Sequence, residues 1–288
     1  MEYSTIKDLI DLAFDLDTTI SEVVIRTEME DSERSKISIE KQMMHNLEVM
    51  KNSINEGRKG IIRSTSGVIG GESHRLVGYS GPLSGGLYHE VIINALAVSE
   101  VNAGMGKIVA CPTAGSSGVI PAVVISVGQE YDLSDKKICK SLFTAAGLGE
   151  IVAKKATLAG AAGGCQAECG VAAAMAAGAV VELLGGNPEM VGHGFALALK
   201  NLLGLACDPV AGLVEVPCVK RNGFAATHAL TAASMALAGI ESVIPPDEVI
   251  EAMIDIGNLL PQFLKETSQA GLATTPTGLR IKKRIDRK

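Results

Sequence analysis

The chain has 288 residues, a formal net charge of −6, 47% hydrophobic and only 3% aromatic residues, with no tryptophan. This apolar fraction is large enough to bury a core, which excludes disorder over most of the length. An acidic chain with few aromatic side chains lacks the basic, stacking surface of nucleic-acid-binding proteins, so no nucleic-acid partner is expected. Alanine and glycine dominate from about 153 to 239. Such small residues predict closely packed, buried helices.

The first part of the chain, residues 1–57, has the pattern of amphipathic helices. Apolar side chains recur at helical spacing near its start, at Ile6, Leu9, Ile10 and Ala13. A long helix is predicted next, from a cap at Asp31 or Ser32 to a stop at Gly57.

Loops and helices then alternate. The Gly- and Ser-rich stretches 63–72 and 79–86 predict ordered loops. A helix is predicted over 90–102. The run 108–127 contains two prolines and predicts a loop that feeds a buried helix, with a pair of short strands as the alternative.

The second half is predicted to be helical at about 134–146, 149–159, 168–184, 187–203 and 246–260. Asn187, Pro188 and Glu189 form a typical helix start, with a cap, a first-turn proline and a first-turn acid. Pro246 is expected to begin the last of these helices. The basic tail 280–288 is predicted to be solvated.

The predicted fold class is therefore mostly α, a compact bundle of buried Ala/Gly-rich helices with Gly/Ser-rich active-site loops. A single domain is expected over 1–288, with 1–57 as an amphipathic helical segment and 58–280 as the core. Polar residues, glycine or proline interrupt the charge-free runs 108–129 and 222–240, so no membrane association is expected. No secretory signal is found at the N-terminus, which predicts a cytoplasmic location.

Six cysteines without a secretory signal suggest reduced thiols rather than disulfides. Cys165, Cys207 and Cys218 are separated by 41 and 10 intervening residues, and each stands beside glycine or proline. Such residues bend the chain and free backbone N–H groups to bond cluster sulfur. Three thiolates on a cubane cluster leave one iron open to act as a Lewis acid, whereas buried, inert core thiols are the alternative.

The sequence resembles the α chain of the bacterial two-chain, iron–sulfur-dependent L-serine dehydratase (L-serine ammonia-lyase). The segments that carry the resemblance are YSGPLSG at 79–85, EVNAGMG at 100–106, PTAGSSG at 112–118, AAGGCQAE at 161–168, CDPVAGLVEVPC at 207–218 and GLATTPTG at 271–278. They span nearly the whole chain, and the 207–218 segment is highly specific.

The resemblance implies a four-iron, four-sulfur (4Fe-4S) cluster on Cys165, Cys207 and Cys218. Its open iron is expected to bind the hydroxyl and carboxylate of L-serine, and elimination is expected to give aminoacrylate and then pyruvate and ammonia. No pyridoxal phosphate is expected, because no lysine with a Gly-rich phosphate cup is found. The implied fold is mostly helical, and the implied role is amino-acid degradation in a heterodimer with a β subunit.

Small-residue loops are predicted to contact the substrate through hydroxyl and backbone N–H groups, at Thr65, Ser66, Ser80, Thr113, Ser116 and Ser117. Ordinary turn chemistry is the alternative for these residues. Lys220, with its neighbour Arg221, is predicted to hold the substrate carboxylate unless it is simply solvated at the surface.

The catalytic base is expected to come from the β partner, because the family's Ser-Ser-His-Thr segment is absent from this chain. His193 and His228 are the candidates within the chain, although a histidine in an Ala-rich helix is usually a hydrogen-bonded core residue. Two other functions stay open. One is a related cluster-dependent lyase acting on L-cysteine or another small amino acid. The other is a non-catalytic chain with a zinc site on Cys165, Cys169, Cys207 and Cys218, or with buried thiols.

Overall fold

The computed structural model describes residues 1–287. Within this range most residues are helical and no β-strand occurs, which confirms the mostly α prediction. The helices are α1 (Ile6–Asp15), α2 (Ile20–Ser32), α3 (Lys36–Lys59), α4 (Glu72–Val77), α5 (Gly86–Ala103), α6 (Val119–Glu130), α7 (Asp135–Lys155), α8 (Gly160–Gly163), α9 (Val171–Leu183), α10 (Pro188–Lys200), α11 (Cys218–Leu237), α12 (Pro246–Leu259) and α13 (Pro276–Ile285). Shorter turns are a π-helical turn at Gln166–Gly170 and 3₁₀ turns at Val210–Gly212, Gln262–Leu264 and Gly271–Thr274.

Helix α9 is the centre of the core, and α6, α7, α10 and α11 pack around it. Its residues from Val171 to Val181 are all buried, and most of them are alanine or glycine. Close approach requires such small side chains, because a Cβ on Gly178 would run into Leu148. The predicted bundle of Ala/Gly-rich helices is thus the observed core.

The first three helices pack against this core. Ile6, Leu9 and Ile20 are fully buried, so their apolar faces complete the hydrophobic cluster that contains α9. Helix α1 begins with a capping box, in which the Thr5 hydroxyl accepts from the Asp8 N–H and Asp8 in turn accepts from the Thr5 N–H. The predicted amphipathic helices of the N-terminal segment are therefore present.

The start of α3 differs from the prediction. Asp31 and Ser32 end α2 instead of capping the next helix, because Glu33 adopts a left-handed backbone with φ of 54°. Ser35 caps α3 and accepts from the Ser38 N–H at 3.3 Å. Gly57, the predicted stop, lies inside α3, and the helix continues to Lys59.

The predicted break near 146–149 is also wrong, because α7 is continuous from Asp135 to Lys155. Gly147 and Gly149 instead serve close packing: added Cβ atoms would run into Val24 and Met175. Helix α5 begins earlier than expected, at Gly86. Within 108–127 the loop followed by buried α6 is confirmed, and the alternative of two strands is wrong.

Local capping signals located other helix starts correctly. Helix α10 begins at Pro188, and the Asn187 side chain accepts from the Met190 N–H at 2.9 Å. Helix α12 begins at Pro246 as expected. The part of the basic tail from 280 to 285 lies in the largely exposed α13.

One stretch, Gln166–Leu183, has the length and apolar composition to cross a membrane, but 83% of it is buried inside the protein. This burial is what the central helix of a soluble core shows, because its apolar surface is already covered by neighbouring helices.

Candidate functional site

Cys165 lies where two helical segments meet, between α8 and the π-helical turn. Gly164 before it has a φ of 78°, a left-handed conformation suited to glycine. The next residue, Gln166, is fully buried and fixes this turn. Its side chain donates to the Gly163 and Met253 carbonyls, both at 3.0 Å, and accepts from the Gly204 N–H at 2.8 Å.

Cys207 lies in the irregular segment after α10 and is held by the chain near 265. Its N–H donates to the Leu264 carbonyl at 2.8 Å, and its carbonyl accepts from the Glu266 N–H at 2.7 Å. A Cβ on Gly160 would lie 3.0 Å from the Cys207 sulfur, so glycine lets α8 approach this thiol.

Cys218 is the first residue of α11 and follows Pro217. Each of Cys165, Cys207 and Cys218 therefore lies at a break in regular helix, as the neighbouring glycine and proline residues indicated. All three are buried, with 2%, 3% and 7% of their surface exposed.

These thiols lie close enough to affect one another's ionisation. Burial, and next the charge of Cys165, raise the pKa of Cys207 well above its usual range and that of Cys218 to about 12. Cys165 has the opposite shift: a hydrogen bond donated by the Cys169 thiol, then the charge of Arg221, lower its pKa. Cys165 is therefore the thiol of this group that is easiest to ionise.

Cys169 is the fourth thiol of the group. The π-helical turn brings it beside Cys165, four residues earlier, and it is itself buried. The hydrogen bond to Cys165 raises the pKa of the Cys169 thiol, as does burial. Of the other cysteines, Cys139 is buried between α3 and α7 and its thiol donates to the Glu40 carbonyl at 3.9 Å.

Arg221 provides the positive charge of the site. Its guanidinium donates to the Asp208 carboxylate at 2.8 Å and to the Ala206 carbonyl at 2.9 Å, so its orientation is fixed. Asp208 also accepts from the Leu272 N–H at 2.8 Å, which connects the segment after Cys207 to the chain before α13. A guanidinium held in this way has remaining N–H groups with which to bind a carboxylate.

Glu168 is a carboxylate beside these thiols that the sequence did not single out. It accepts a hydrogen bond from the Thr113 hydroxyl. Burial raises its pKa, opposed by the Thr113 hydrogen bond, with a further rise from the charge of Glu266. Its position three residues after Cys165, within one of the family segments, was the available signal.

The loop at 113–118 is a predicted substrate loop that the structure connects to the thiol group through Glu168. Thr113 contacts Glu168, and its hydroxyl lies 3.1 Å from that of Ser116. Ser116 and Ser117 are fully buried, and the Ser117 hydroxyl has no partner within residues 1–287. Asn222 holds the loop against α11, because its side chain accepts from the Gly118 N–H at 2.9 Å.

Asn222 is a second residue that the sequence did not reveal. Besides binding Gly118, it donates to the Gly115 carbonyl at 2.8 Å and to the Cys218 carbonyl at 2.9 Å. One fully buried amide thereby connects the 113–118 loop to a predicted cluster ligand. Its place one helical turn after Cys218 was the only signal in the sequence.

The other predicted substrate residues have different surroundings. Ser66 donates from both its N–H and its hydroxyl to Glu215, whereas Thr65 is exposed and donates to the Ala103 carbonyl. Ser80 lies in the exposed loop before α5. None of these contacts tests the proposed binding of substrate, which stays a prediction.

Lys220 and the two histidines face other parts of the protein. Lys220, about half exposed, pairs with Glu72 at 3.0 Å, so Arg221 rather than Lys220 is the cation beside the thiols. His193 accepts from the Ser242 N–H at 3.3 Å, and a ring nitrogen of His228 lies 2.8 Å from the Ala198 carbonyl. Both histidines thus have the backbone partners typical of structural histidines.

The donor set fits an iron–sulfur cluster chemically, because four buried thiols next to a guanidinium supply soft ligands and a positive charge. Within residues 1–287, no group of three or more His, Cys, Asp or Glu is arranged to hold a metal ion. A cubane cluster separates its thiolates more widely than one ion does. Cys165, Cys207 and Cys218 are the residues that would hold it.

Comparison with known proteins gives consistent matches. The family model described as serine dehydratase alpha chain matches residues 15–273. The probable L-serine dehydratase alpha chain of Bacillus subtilis is 49% identical over 286 residues, covering 98% of this chain and 95% of the relative. The L-serine dehydratase alpha chain of Peptoniphilus asaccharolyticus is 39% identical, with 97% of each chain covered. The L-serine dehydratase of Mycobacterium bovis is 35% identical over 95% of this chain but only 61% of its own length.

Proposed function

This chain belongs to the serine dehydratase alpha chain family and is part of an ammonia-lyase enzyme, and we propose that its substrate is L-serine. The proposed products are pyruvate and ammonia, formed together with a β subunit. The observation that carries the proposal is the grouping of Cys165, Cys207 and Cys218, all buried, beside the guanidinium of Arg221.

The proposed cofactor is a four-iron, four-sulfur cluster held by these three cysteines. When bound, a cluster with one iron free of protein ligands supplies a Lewis acid for the substrate hydroxyl and carboxylate. The breaks in helix at the three thiols support this assignment, because the neighbouring glycine and proline residues bend the chain and take these sulfur atoms out of a regular helical register.

Arg221 is proposed to orient the substrate carboxylate. Asp208 and the Ala206 carbonyl already fix its guanidinium, so little side-chain freedom is lost when it binds. The reaction removes the α-proton and the β-hydroxyl of serine, which together make water. The resulting aminoacrylate becomes an imine, and water hydrolyses the imine to ammonia and pyruvate.

The base that removes the α-proton is proposed to come from the β subunit. His193 and His228 use ring nitrogens for backbone contacts, which favours a structural role for both. The chain alone, even with its cluster, should therefore turn over L-serine poorly, and adding the partner should raise the rate by about 10²-fold or more. Full activity of the isolated chain would overturn this proposal.

A zinc site is the competing proposal: Cys169 adds a fourth thiol beside Cys165, but no group of three or more His, Cys, Asp or Glu within residues 1–287 is arranged to hold a single metal ion. Four thiolates are a common ligand set for structural zinc. A cluster on three cysteines and zinc on four differ in composition, so chemical analysis distinguishes them.

The test is anaerobic purification of the chain with its partner, followed by analysis of iron, sulfide and zinc and by turnover of L-serine. Iron and sulfide in equal amounts, with brown colour lost in air and pyruvate released from L-serine, are expected. Stoichiometric zinc without iron would overturn the cluster. Pyruvate released from L-cysteine much faster than from L-serine would identify a lyase of different specificity.

A further inference from the structure

Residues 63–70, named here the serine loop, form a small closed unit. Arg63 and Gly70 make an antiparallel bridge at its base. Within it, the Ser64 N–H donates to the Ile69 carbonyl at 3.0 Å, and the Gly67 N–H donates to the Ser64 carbonyl at 2.9 Å. These internal bonds give the loop a shape of its own, so it can be displaced without losing that shape.

A single buried carboxylate holds this loop against the segment between two predicted cluster ligands. Glu215, 5% exposed, accepts from the Ser64 hydroxyl at 2.7 Å, from the Ser66 N–H at 3.1 Å and from the Ser66 hydroxyl. It lies three residues before Cys218. Three hydrogen bonds from the loop converge on this one carboxylate, so it is the main contact that attaches the loop to the segment.

A second contact supports the same attachment from the other side of Cys218. Lys220, two residues after it, pairs with Glu72 at 3.0 Å. Glu72 also accepts from the Gly70 N–H at 2.8 Å, at the base of the serine loop. Cys218 is thus flanked on both sides by residues that connect it to this loop.

We propose that Glu215 is a positioning residue that fixes the serine loop relative to the Cys207–Cys218 segment. Ser66 then serves to dock the loop on Glu215, and the exposed Thr65 is the residue that the docked loop presents to the amino-acid substrate. This inference rests on the proposed function for the identity of the substrate. The docking itself depends only on the contacts described above.

Amide hydrogen exchange of the purified chain, resolved to single residues, tests the docking. In Glu215→Ala, the Thr65 N–H, which donates to Ala103 on α5, should exchange about tenfold faster. The Gly67 N–H, whose bond is internal to the loop, should change little. Ser66→Ala removes a donor from the loop without altering the Cys207–Cys218 segment, and should shift Thr65 in the same direction. Unchanged Thr65 exchange in both variants would overturn the proposal.

Kinetics of the enzyme reconstituted with iron, sulfide and the partner give the second readout. Glu215→Ala should raise KM for L-serine about tenfold, with kcat and iron per chain within about twofold of wild type. Glu215→Gln retains one acceptor oxygen and should recover part of this loss. If iron and activity instead fall together, Glu215 supports only the thiol segment and the proposal is wrong.

Glu182→Gln is the matched control, because Glu182 is another largely buried carboxylate that accepts a serine N–H, from Ser21 at 3.2 Å, but lies away from the thiols. It should leave both Thr65 exchange and KM unchanged. If the wild-type enzyme holds no iron or does not act on L-serine, the proposed function fails. The exchange measurement still decides whether Glu215 docks the loop.

Discussion

The central helix α9 is buried along almost its whole length, whereas the Cys207–Cys218 segment is only partly buried, and the two are held in different ways. In α9 the backbone bonds itself, and the side chains from Val171 to Val181 need only be small enough for neighbouring helices to approach. The Cys207–Cys218 segment has little regular structure, and specific side chains hold it, namely Asp208, Glu215, Arg221 and Asn222.

This difference predicts two kinds of sensitivity to mutation. In the closely packed core, added side-chain volume lowers the free energy of unfolding by an amount that depends on how far the neighbouring residues can move. A loop held by polar contacts responds to the loss of a single atom, because a buried donor or acceptor without a partner is costly. The following substitutions test this contrast.

Removal of a predicted cluster ligand should have the largest effect. Cys165→Ala, Cys207→Ala or Cys218→Ala is expected to abolish both iron binding and L-serine turnover, because three thiolates are needed to hold the cluster. Cys139→Ala, in the groove between α3 and α7, should leave both nearly intact. Iron per chain and pyruvate release measure these effects, and equal losses in all four variants would contradict the assignment.

Asn222→Ala should be the most destabilising change to the polar framework of the site. It leaves the Gly118 N–H and the Gly115 carbonyl without their partner, at an expected cost of about 3 kcal/mol in the free energy of unfolding. Urea denaturation measures this cost. Asn201→Ala, which removes only a bond to the Leu197 carbonyl at a helix end, is the control and should cost about 0.5 kcal/mol. Equal costs in the two variants would show that Asn222 contributes no more to stability than a side chain at an ordinary helix end.

Gly57→Ala tests close packing in the core. The added Cβ would run into the Ala97 carbonyl of α5, so we expect a loss of about 1–2 kcal/mol even though alanine favours helices by about 1 kcal/mol. Gly60→Ala, where a Cβ meets open space, should change stability by less than about 0.5 kcal/mol. Urea midpoints compare the two variants, and iron content should be unaffected in both. A stabilised Gly57→Ala variant would show that α3 and α5 can separate at little cost.

Glu100→Gln should have little effect on stability near pH 4 and a characteristic pH dependence above it. Burial, and next a hydrogen bond with Glu72, raise the pKa of Glu100 from 4.5 to about 7. The folded protein therefore binds this proton more tightly than the unfolded chain does, and stability is lost as the pH rises from about 4.5 to about 7. The variant has no titrating carboxyl at this position and should not show this loss.

The free energy of unfolding of wild type and of Glu100→Gln, measured between pH 4 and pH 8, tests this difference. The exposed Glu241→Gln is the control and should follow wild type across this range. A Glu100→Gln variant with the same pH dependence as wild type would show that Glu100 is ionised in the folded protein throughout.

The sequence alone was informative where structure depends on neighbours along the chain. The cap at Asn187 and the prolines at Pro188 and Pro246 locate helix starts, because they act on the backbone within one turn. The Ala/Gly bias predicts a closely packed helical core, because small side chains let neighbouring helices approach one another. Among the boundary predictions that failed are those at 31–36 and 146–149, where a left-handed residue and contacts with other helices decided the outcome.

Sequence therefore determined the mostly helical fold, the family resemblance and the cysteine residues of interest. Only the tertiary structure paired Glu168 with Thr113, chose Arg221 over Lys220 as the cation beside the thiols, and made Glu215 and Asn222 the anchors of two loops. The reason is the range of the interactions. Caps and periodic apolar faces act within a few residues, whereas these polar contacts join residues 50 or more positions apart along the chain, and no local pattern encodes them.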